Sequence, residues 1–225
     1  MRVGYYGGTF DPIHVGHLDV ARAAQHALDL DRVYFVPAEQ PPHRSKPRAS
    51  AAHRFAMAAL AIAAAPRFAL SDLEMRGGGP SYTSATLDRL AASGVDTRAC
   101  VLITGADAFQ DIPSWKDFPA ILDRCHMAVV SRPDRPAPAL RFTLPSLAVR
   151  MIDAPAGASR MIDAPAAGGT RLPATPGILL VDAPTAPVSS TDIRRRLAAR
   201  EDIGGLVPAA VEEYIEKHGL YVEQA

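Results

Sequence analysis

Two histidines three residues apart, His14 and His17, close the stretch Gly7-Gly8-Thr9-Phe10-Asp11-Pro12-Ile13-His14-Val15-Gly16-His17-Leu18. Before it lies an apolar run, Val3 to Tyr6, that reads as a buried strand; after it a helical pattern runs from about Val15 to Leu28. In an open parallel sheet, ligands bind where a strand hands over to a helix. Glycines let the backbone approach a phosphate closely, and a helix N-terminus offers free N–H groups and a positive dipole end. Two imidazoles at this spacing can face one ligand from a single helical turn. The chemistry these residues fit is the holding of a nucleotide triphosphate, with Gly7, Gly8, Thr9, Phe10, His14, Gly16 and His17 as the candidates. Structural histidines are the alternative, which the pairing around Gly16 disfavours.

A second segment offers complementary chemistry. In Val188-Ser189-Ser190-Thr191-Asp192-Ile193-Arg194, Ser189 or Ser190 can cap a helix, leaving N–H groups and hydroxyls for anionic oxygens. Arg194 on the first turns presents a fork of donors to phosphate, while Arg195 and Arg196 point to other sides, solvated or paired. A capped surface helix is the bland reading of this segment taken alone. Gly105 and Asp107 follow another apolar strand; Asp107 can bind a ribose hydroxyl or simply cap a helix. Trp115, the single tryptophan, can stack on a flat ring or anchor a core. Tyr82 and Thr83 precede a helix whose N–H groups can hold a carboxylate. Pro41, His43, Arg44 and Lys46 lie on a polar loop, where the basic side chains can grip a phosphate or stay solvated.

The elements that position these groups read as an alternation of strands and helices. Strands are expected at Val3–Tyr6, Arg32–Pro37, Phe68–Asp72, Ala99–Thr104, His126–Ser131 and Ile178–Val181. Helices are expected at Val15–Leu28, from Ser50 to Ala65, Thr83–Ala92, from Trp115 to Leu122, Ser189–Ala199 and Pro208–His218. The pattern implies an α/β fold, Rossmann-like and doubly wound, with a mostly parallel sheet flanked by helices and a small C-terminal helical portion over about 189–225. One domain spans 1–225. Residues 132–177 break the rhythm: eight of the 20 prolines fall there, and Arg150–Ala156 repeats unchanged as Arg160–Ala166. That span reads as a Pro/Gly-rich surface insertion with a local duplication; a partner-binding loop is the alternative.

Composition excludes several classes. The 24 basic and 24 acidic residues balance, which argues against a nucleic-acid binder working through a basic surface. Cys100 and Cys125 share no metal-ligand spacing and lie in or beside apolar runs, as buried thiols of a cytoplasmic protein do; a disulfide is the minor alternative. The Ala-rich run from Ala49 to Ala65 carries His53 and Arg54, so it is no membrane span, and a strand beginning at residue 3 leaves no room for a signal peptide. Without Gly-x-Gly-x-x-Gly after the first strand, a nicotinamide-dependent oxidoreductase is disfavoured. Homo-oligomerisation is compatible with all of this.

The first motif resembles the phosphate-binding signature of the HxGH nucleotidylyltransferases, relatives of the catalytic domains of class I aminoacyl-tRNA synthetases. Val188–Arg194 resembles the same superfamily's second motif, Ile-Ser-Ser-Thr-x-Ile-Arg, with Val at its start. Pro37-Ala38-Glu39-Gln40-Pro41-Pro42-His43-Arg44, Gly79-Pro80-Ser81-Tyr82-Thr83, Ile103-Thr104-Gly105-Ala106-Asp107, Pro113-Ser114-Trp115-Lys116 and the C-terminal Leu206-Val207-Pro208 to Tyr221 are similar to the landmarks of bacterial nicotinate-mononucleotide adenylyltransferases. The resemblance covers nearly the whole chain apart from about 132–177. It implies adenylyl transfer from ATP to nicotinate mononucleotide in NAD biosynthesis, giving nicotinate adenine dinucleotide and pyrophosphate with no covalent enzyme intermediate. It also implies Mg²⁺ arriving with the ATP, no metal held by the protein itself, and small molecules rather than nucleic acid or membrane as partners. In that picture His14, His17 and Arg194 serve catalysis. Gly7–Phe10, Gly16, Gly105, Asp107 and Ser189–Thr191 join them around ATP, and Pro41, His43, Arg44, Tyr82, Thr83 and Trp115 hold the mononucleotide. Within the superfamily, a related adenylyl- or cytidylyltransferase with another phosphorylated acceptor is the runner-up; a nucleotide-binding sensor without chemistry is the non-enzymatic alternative.

Overall fold

A computed structural model describes residues 1–42, 46–154 and 172–222. Seven parallel strands form one sheet: β1 (Val3–Gly8), β2 (Arg32–Pro37), β3 (Phe68–Leu70), β4 (Val101–Gly105), β5 (His126–Val130), β6 (Met151–Asp153) and β7 (Ile178–Val181), in the spatial order β3-β2-β1-β4-β5-β7-β6. The helices are α1 (Val15–Leu28), α2 (Ala51–Ile62), α3 (Thr83–Ala92), α4 (Ala106–Phe109), α5 (Leu140–Thr143), α6 (Ser190–Ala198) and α7 (Ala209–Lys217). The chain builds outward from β1 in one direction, returns, and builds from β4 in the other. The reversal falls between β1 and β4, so the crevice beyond their C-terminal ends is where such a sheet binds ligands.

Strand alternation divides the core. Tyr6, Ile103, Ala128, Val130 and Leu179 face one side, packing with Leu18 of α1, Met57 of α2, Ile193 of α6 and Val211 of α7. Tyr5, Leu102, Met127, Val129 and Leu180 face the other, against Leu87 of α3, Phe109 of α4 and Leu140 of α5. Both faces of the sheet are covered, which is why its strands read as continuous apolar runs. Cys100 and Cys125 are buried free thiols, and burial pushes them up to about 11 and about 12. Among the described residues, no helix is long and apolar enough to cross a membrane.

Two expectations need correction. No helix runs from Trp115 to Leu122. The backbone is extended at Trp115 between single 3₁₀ turns at Ile112–Ser114 and Ala120–Asp123. Asp117 takes a left-handed φ of 63°, and Pro119 has no N–H to donate, so a helix cannot propagate through the segment. Nor is 132–177 all insertion: 3₁₀ turns at Ala137–Ala139 and Pro145–Arg150 flank α5, and β6 is the edge strand beside β7. Three residues are too short to show a period against a proline-rich background, and burial of Met151 alone among them fastens the strand. The first copy of the repeat therefore enters the sheet, while the second lies outside the described residues. Smaller differences are at ends: α2 stops at Ile62 and β4 begins at Val101.

Helix α6 is short and polar, and Ile193 is its one buried residue. Ile193→Ala is expected to lower the unfolding free energy in urea by about 2–5 kcal/mol, the range for truncating a buried aliphatic side chain. A loss well under ~1 kcal/mol would mean that other contacts anchor α6.

Candidate active site

The register sets the site. Gly8 pairs with Pro37, and Gly105 with Val130, so β1, β2, β4 and β5 end together and their next residues form one rim. A cleft of about 560 Å³ opens there. Its walls include Gly7, Gly8, Thr9, Phe10, His14, His17, Gly105, Asp107, Ser189, Ser190, Thr191 and Arg194, and also Pro41, Tyr82, Thr83 and Trp115. Every described candidate is thus in the cleft wall except Gly16, which lies behind it. A Cβ on Gly16 would come within 3.0 Å of Arg132 Nη1 and 3.1 Å of the Ala186 carbonyl, so this glycine serves close packing. A Cβ on Gly7, by contrast, would meet nothing within 4 Å and would project into open space, which is the bare approach a phosphate needs. His43 and Arg44 lie outside the described residues.

The two expected phosphate segments meet directly. The Ser190 hydroxyl donates to the Pro12 carbonyl at 2.9 Å, and Arg194 Nη1 donates to the Asp11 carbonyl at 2.6 Å. Ser189 caps α6, accepting from the Asp192 N–H at 3.1 Å. Arg194 Nη2 reaches Thr191 Oγ1 at 3.2 Å, which turns the guanidinium along the helix start. Arg195 and Arg196 point elsewhere and pair with Asp192 at 2.9 and 2.8 Å.

The histidines are arranged for hydrogen-bond donation. The His14 backbone N–H donates to His17 Nδ1 at 3.2 Å, and the rings stack with centroids 3.7 Å apart. An Nδ1 that accepts leaves the ring proton of a neutral imidazole on Nε2, so His17 carries a donor there. Phe10, at a left-handed φ of 50°, sets its ring edge-on to His17 with centroids 5.0 Å apart. His14 is only 2% exposed, and its Nδ1 has no hydrogen-bond partner. Burial, reinforced by the Arg132 charge, pushes the His14 imidazole down to about 3. His14 is therefore neutral near pH 7.

At the other end of the cleft, Tyr82 is the N-cap residue of α3, and Lys116 Nζ sits 5.0 Å from the centre of the Tyr82 ring. Trp115 is half-buried against the core beneath the sheet. The Ser81 N–H donates to the Gln40 carbonyl at 2.9 Å, joining the loop after β2 to the loop before α3. Asp107 lies in the first turn of α4, exposed on the cleft wall, and Gly105 occupies the cap position.

Three further side chains belong to the site. Arg132, two residues beyond β5, donates to the Gly16 carbonyl at 3.3 Å and to the Val188 carbonyl at 2.9 Å, clipping both segments together at the cleft wall. Its place after the end of a central strand was the available signal. Arg54 of α2, 1% exposed, donates to the carbonyls of Thr9 at 2.6 Å, Glu39 at 3.2 Å and Ala49 at 3.3 Å. It has no sequence signature beyond an arginine on an apolar helix. The third, Asp11, stands inside the first motif, buried, and accepts from the N–H groups of Arg48 at 2.8 Å and Ala49 at 3.1 Å. Among the described residues, no group of three or more His, Cys, Asp or Glu side chains is placed to hold a metal ion.

A parallel sheet with its ligand cleft at the switch point, lined by paired histidines and two helix starts, defines a nucleotidyltransferase. Residues 5–196 match the family described as cytidylyltransferase-like. The probable nicotinate-nucleotide adenylyltransferase of a Roseiflexus species is 42% identical, with 97% of each chain covered. That of Thermus thermophilus is 41% identical, over 98% of this chain and all of its own. The chain belongs to the nicotinate-nucleotide adenylyltransferase family. The structure of Plasmodium falciparum nicotinic acid mononucleotide adenylyltransferase complexed with NaAD shares the fold at a TM-score of 0.69 and 18% identity, covering 98% and 97% of the two chains.

The depressed His14 has a consequence for stability. An unfolded histidine titrates near ~6.5. Between there and about 3 the unfolded chain binds a proton that the folded chain does not. Stability is therefore lost as pH falls through that window, by up to ~1.4 kcal/mol per pH unit, and is unaffected by His14 above it. His126, also depressed by burial, adds to the same slope. Urea titrations at pH 7 and pH 5 are expected to show His14→Asn losing about 2 kcal/mol less than the native chain. Equal losses would mean that His14 is not buried neutral.

Proposed function

We propose that this chain transfers the adenylyl group of ATP to nicotinate mononucleotide by direct in-line displacement, in the cytoplasm. A phosphate oxygen of the mononucleotide attacks the α-phosphorus, forming the new P–O bond. The bond from that phosphorus to the bridging oxygen breaks, and pyrophosphate leaves with the electron pair. The attacking phosphate is already ionised at neutral pH, so no protein nucleophile or base is required; positioning and charge stabilisation carry the rate. Mg²⁺ enters as part of the ATP substrate. One observation carries this reading: in a chain of this family, Arg194 and Ser190 are bonded to the carbonyls of Asp11 and Pro12, so both phosphate segments face one cleft.

The residues divide the work. His17 Nε2 and neutral His14 donate to the oxygens about the α-phosphate. Arg194, the α6 start at Ser189–Thr191 and the Gly8-Thr9 backbone hold the β- and γ-phosphates, while Gly105 and Asp107 face the ribose. Trp115 stacks on the pyridine ring. N–H groups at Tyr82 and Thr83 take the nicotinate carboxylate, whose two charged oxygens accept more strongly than an amide. Pro41, His43 and Arg44 complete the mononucleotide side. A product-formation panel with ATP and CTP against nicotinate mononucleotide, nicotinamide mononucleotide and phosphopantetheine tests the assignment. Turnover greatest with ATP and nicotinate mononucleotide is expected, and preferential turnover of another pair would replace it.

His17→Ala is expected to lower kcat by about a hundredfold or more, the scale for losing one donor to a transition state. Full activity in a pyrophosphate-release assay would remove His17 from the mechanism. Trp115→Ala is expected to raise KM for nicotinate mononucleotide by about tenfold, the upper range of one stacking contact, with KM for ATP nearly unchanged. Equal losses for both substrates would make Trp115 a packing residue.

A further inference from the structure

Tyr221 lies four residues beyond the end of α7 and 210 residues from the motif it touches. Its phenol donates to Asp11 Oδ1 at 2.8 Å. The Asp11 carboxylate, 4% exposed, thus collects three donors from two distant segments: the N–H groups of Arg48 and Ala49 before α2, and the Tyr221 hydroxyl from the C-terminal segment. The same residue's carbonyl receives Arg194 at 2.6 Å. Side chain and carbonyl of one residue therefore couple the C-terminal segment, the loop before α2 and the arginine of the second motif.

We infer that Tyr221 is a positioning residue for adenylyl transfer, orienting Asp11 so that its carbonyl holds the Arg194 guanidinium toward the nucleotide phosphates. Tyr221 takes a left-handed φ of 67°, costly for a side chain with a Cβ and sustained only where surrounding contacts hold it. Its ring packs on the core beside α7, and α7 is fastened to α2 by the 3.0 Å contact between Tyr214 Oη and His53 Nδ1. Burial and the neighbouring Asp11 carboxylate raise the phenol far above its ordinary range, so it stays protonated and donates at any working pH. Without that donor, the carboxylate keeps, among the described residues, only the two N–H hydrogen bonds of the segment before α2. It can then turn toward Arg194, whose Nη1 lies 3.9 Å from Oδ2, and draw the guanidinium away from the cleft. The consequence falls on ATP, not on the acceptor.

The inference rests on the adenylyl-transfer reading, and its test separates the two. Tyr221→Phe keeps the ring and removes the hydroxyl. The dissociation constant of ATP, measured by calorimetry without any acceptor, is expected to rise about tenfold, the scale of a hydrogen bond to a charged group. In turnover, KM for ATP follows while KM for nicotinate mononucleotide stays within about twofold. A chain merely loosened by the change would lose both substrates together, and that outcome overturns the inference, as does unchanged ATP affinity. A double-mutant cycle with Arg194→Lys adds a second arm. If Tyr221 acts through Arg194, the double variant binds ATP no more weakly than Arg194→Lys alone, whereas multiplied losses refute the coupling. Failure of the native chain to use nicotinate mononucleotide would overturn the acceptor assignment and leave the calorimetric test of Tyr221 standing.

Discussion

The structure depends on two main-chain carbonyls. Those of Asp11 and Pro12 would ordinarily be satisfied within a turn, yet here they receive the side chains of Arg194 and Ser190 from the opposite end of the chain. Through them the first turn of α6 is fixed against the turn that leads into α1, and residues at both helix starts line one cleft. Neither start alone makes a nucleotide site. Together they supply N–H groups, hydroxyls, imidazoles and a guanidinium to one cleft, the donor set that phosphate charge calls for. The sheet makes the docking feasible, because the reversal of strand order between β1 and β4 leaves the crevice that the α6 segment closes.

The balance of charge within the cleft follows from the same packing. His14 is buried and neutral, so it can donate one hydrogen bond without repelling Arg132. Arg132 and Arg54 donate to main-chain carbonyls of the segments that shape the site, while Arg194 donates to that of Asp11. Positive charge is held in place before any ligand arrives, as electrostatic preorganisation requires. Other strand ends supply the remaining wall, with Trp115 and the α3 start lining the cleft from the face of the sheet opposite α6.

How much was legible in the residues depends on the range of the signal. The glycine pair, the paired histidines and Ser189–Arg194 are local patterns. A strand–turn–helix needs those residue types in that order, and the resemblance to known nucleotidylyltransferases rests on them. Continuous apolar runs likewise announced β1, β4 and β5 as strands, with β1 toward the middle of the sheet. Other features carry no local signature. The strand at Met151–Asp153 is too short to show a period, and Trp115 stands in extended backbone because Asp117 and Pro119 interrupt any helix. Arg54, Arg132 and Tyr221 look like ordinary residues, since their partners are backbone carbonyls or a carboxylate far along the chain.

By itself, then, the sequence determined the class of chemistry and the segments proposed to perform it, because strand, helix-cap and phosphate motifs are written in neighbouring residues. The tertiary structure decided what joins those segments: which carbonyls Arg194 and Ser190 meet, that Gly16 packs behind the cleft instead of lining it, and that Asp11 gathers loop and tail. Those are contacts between residues as many as 210 apart, set by sheet order and burial, and no local pattern encodes them.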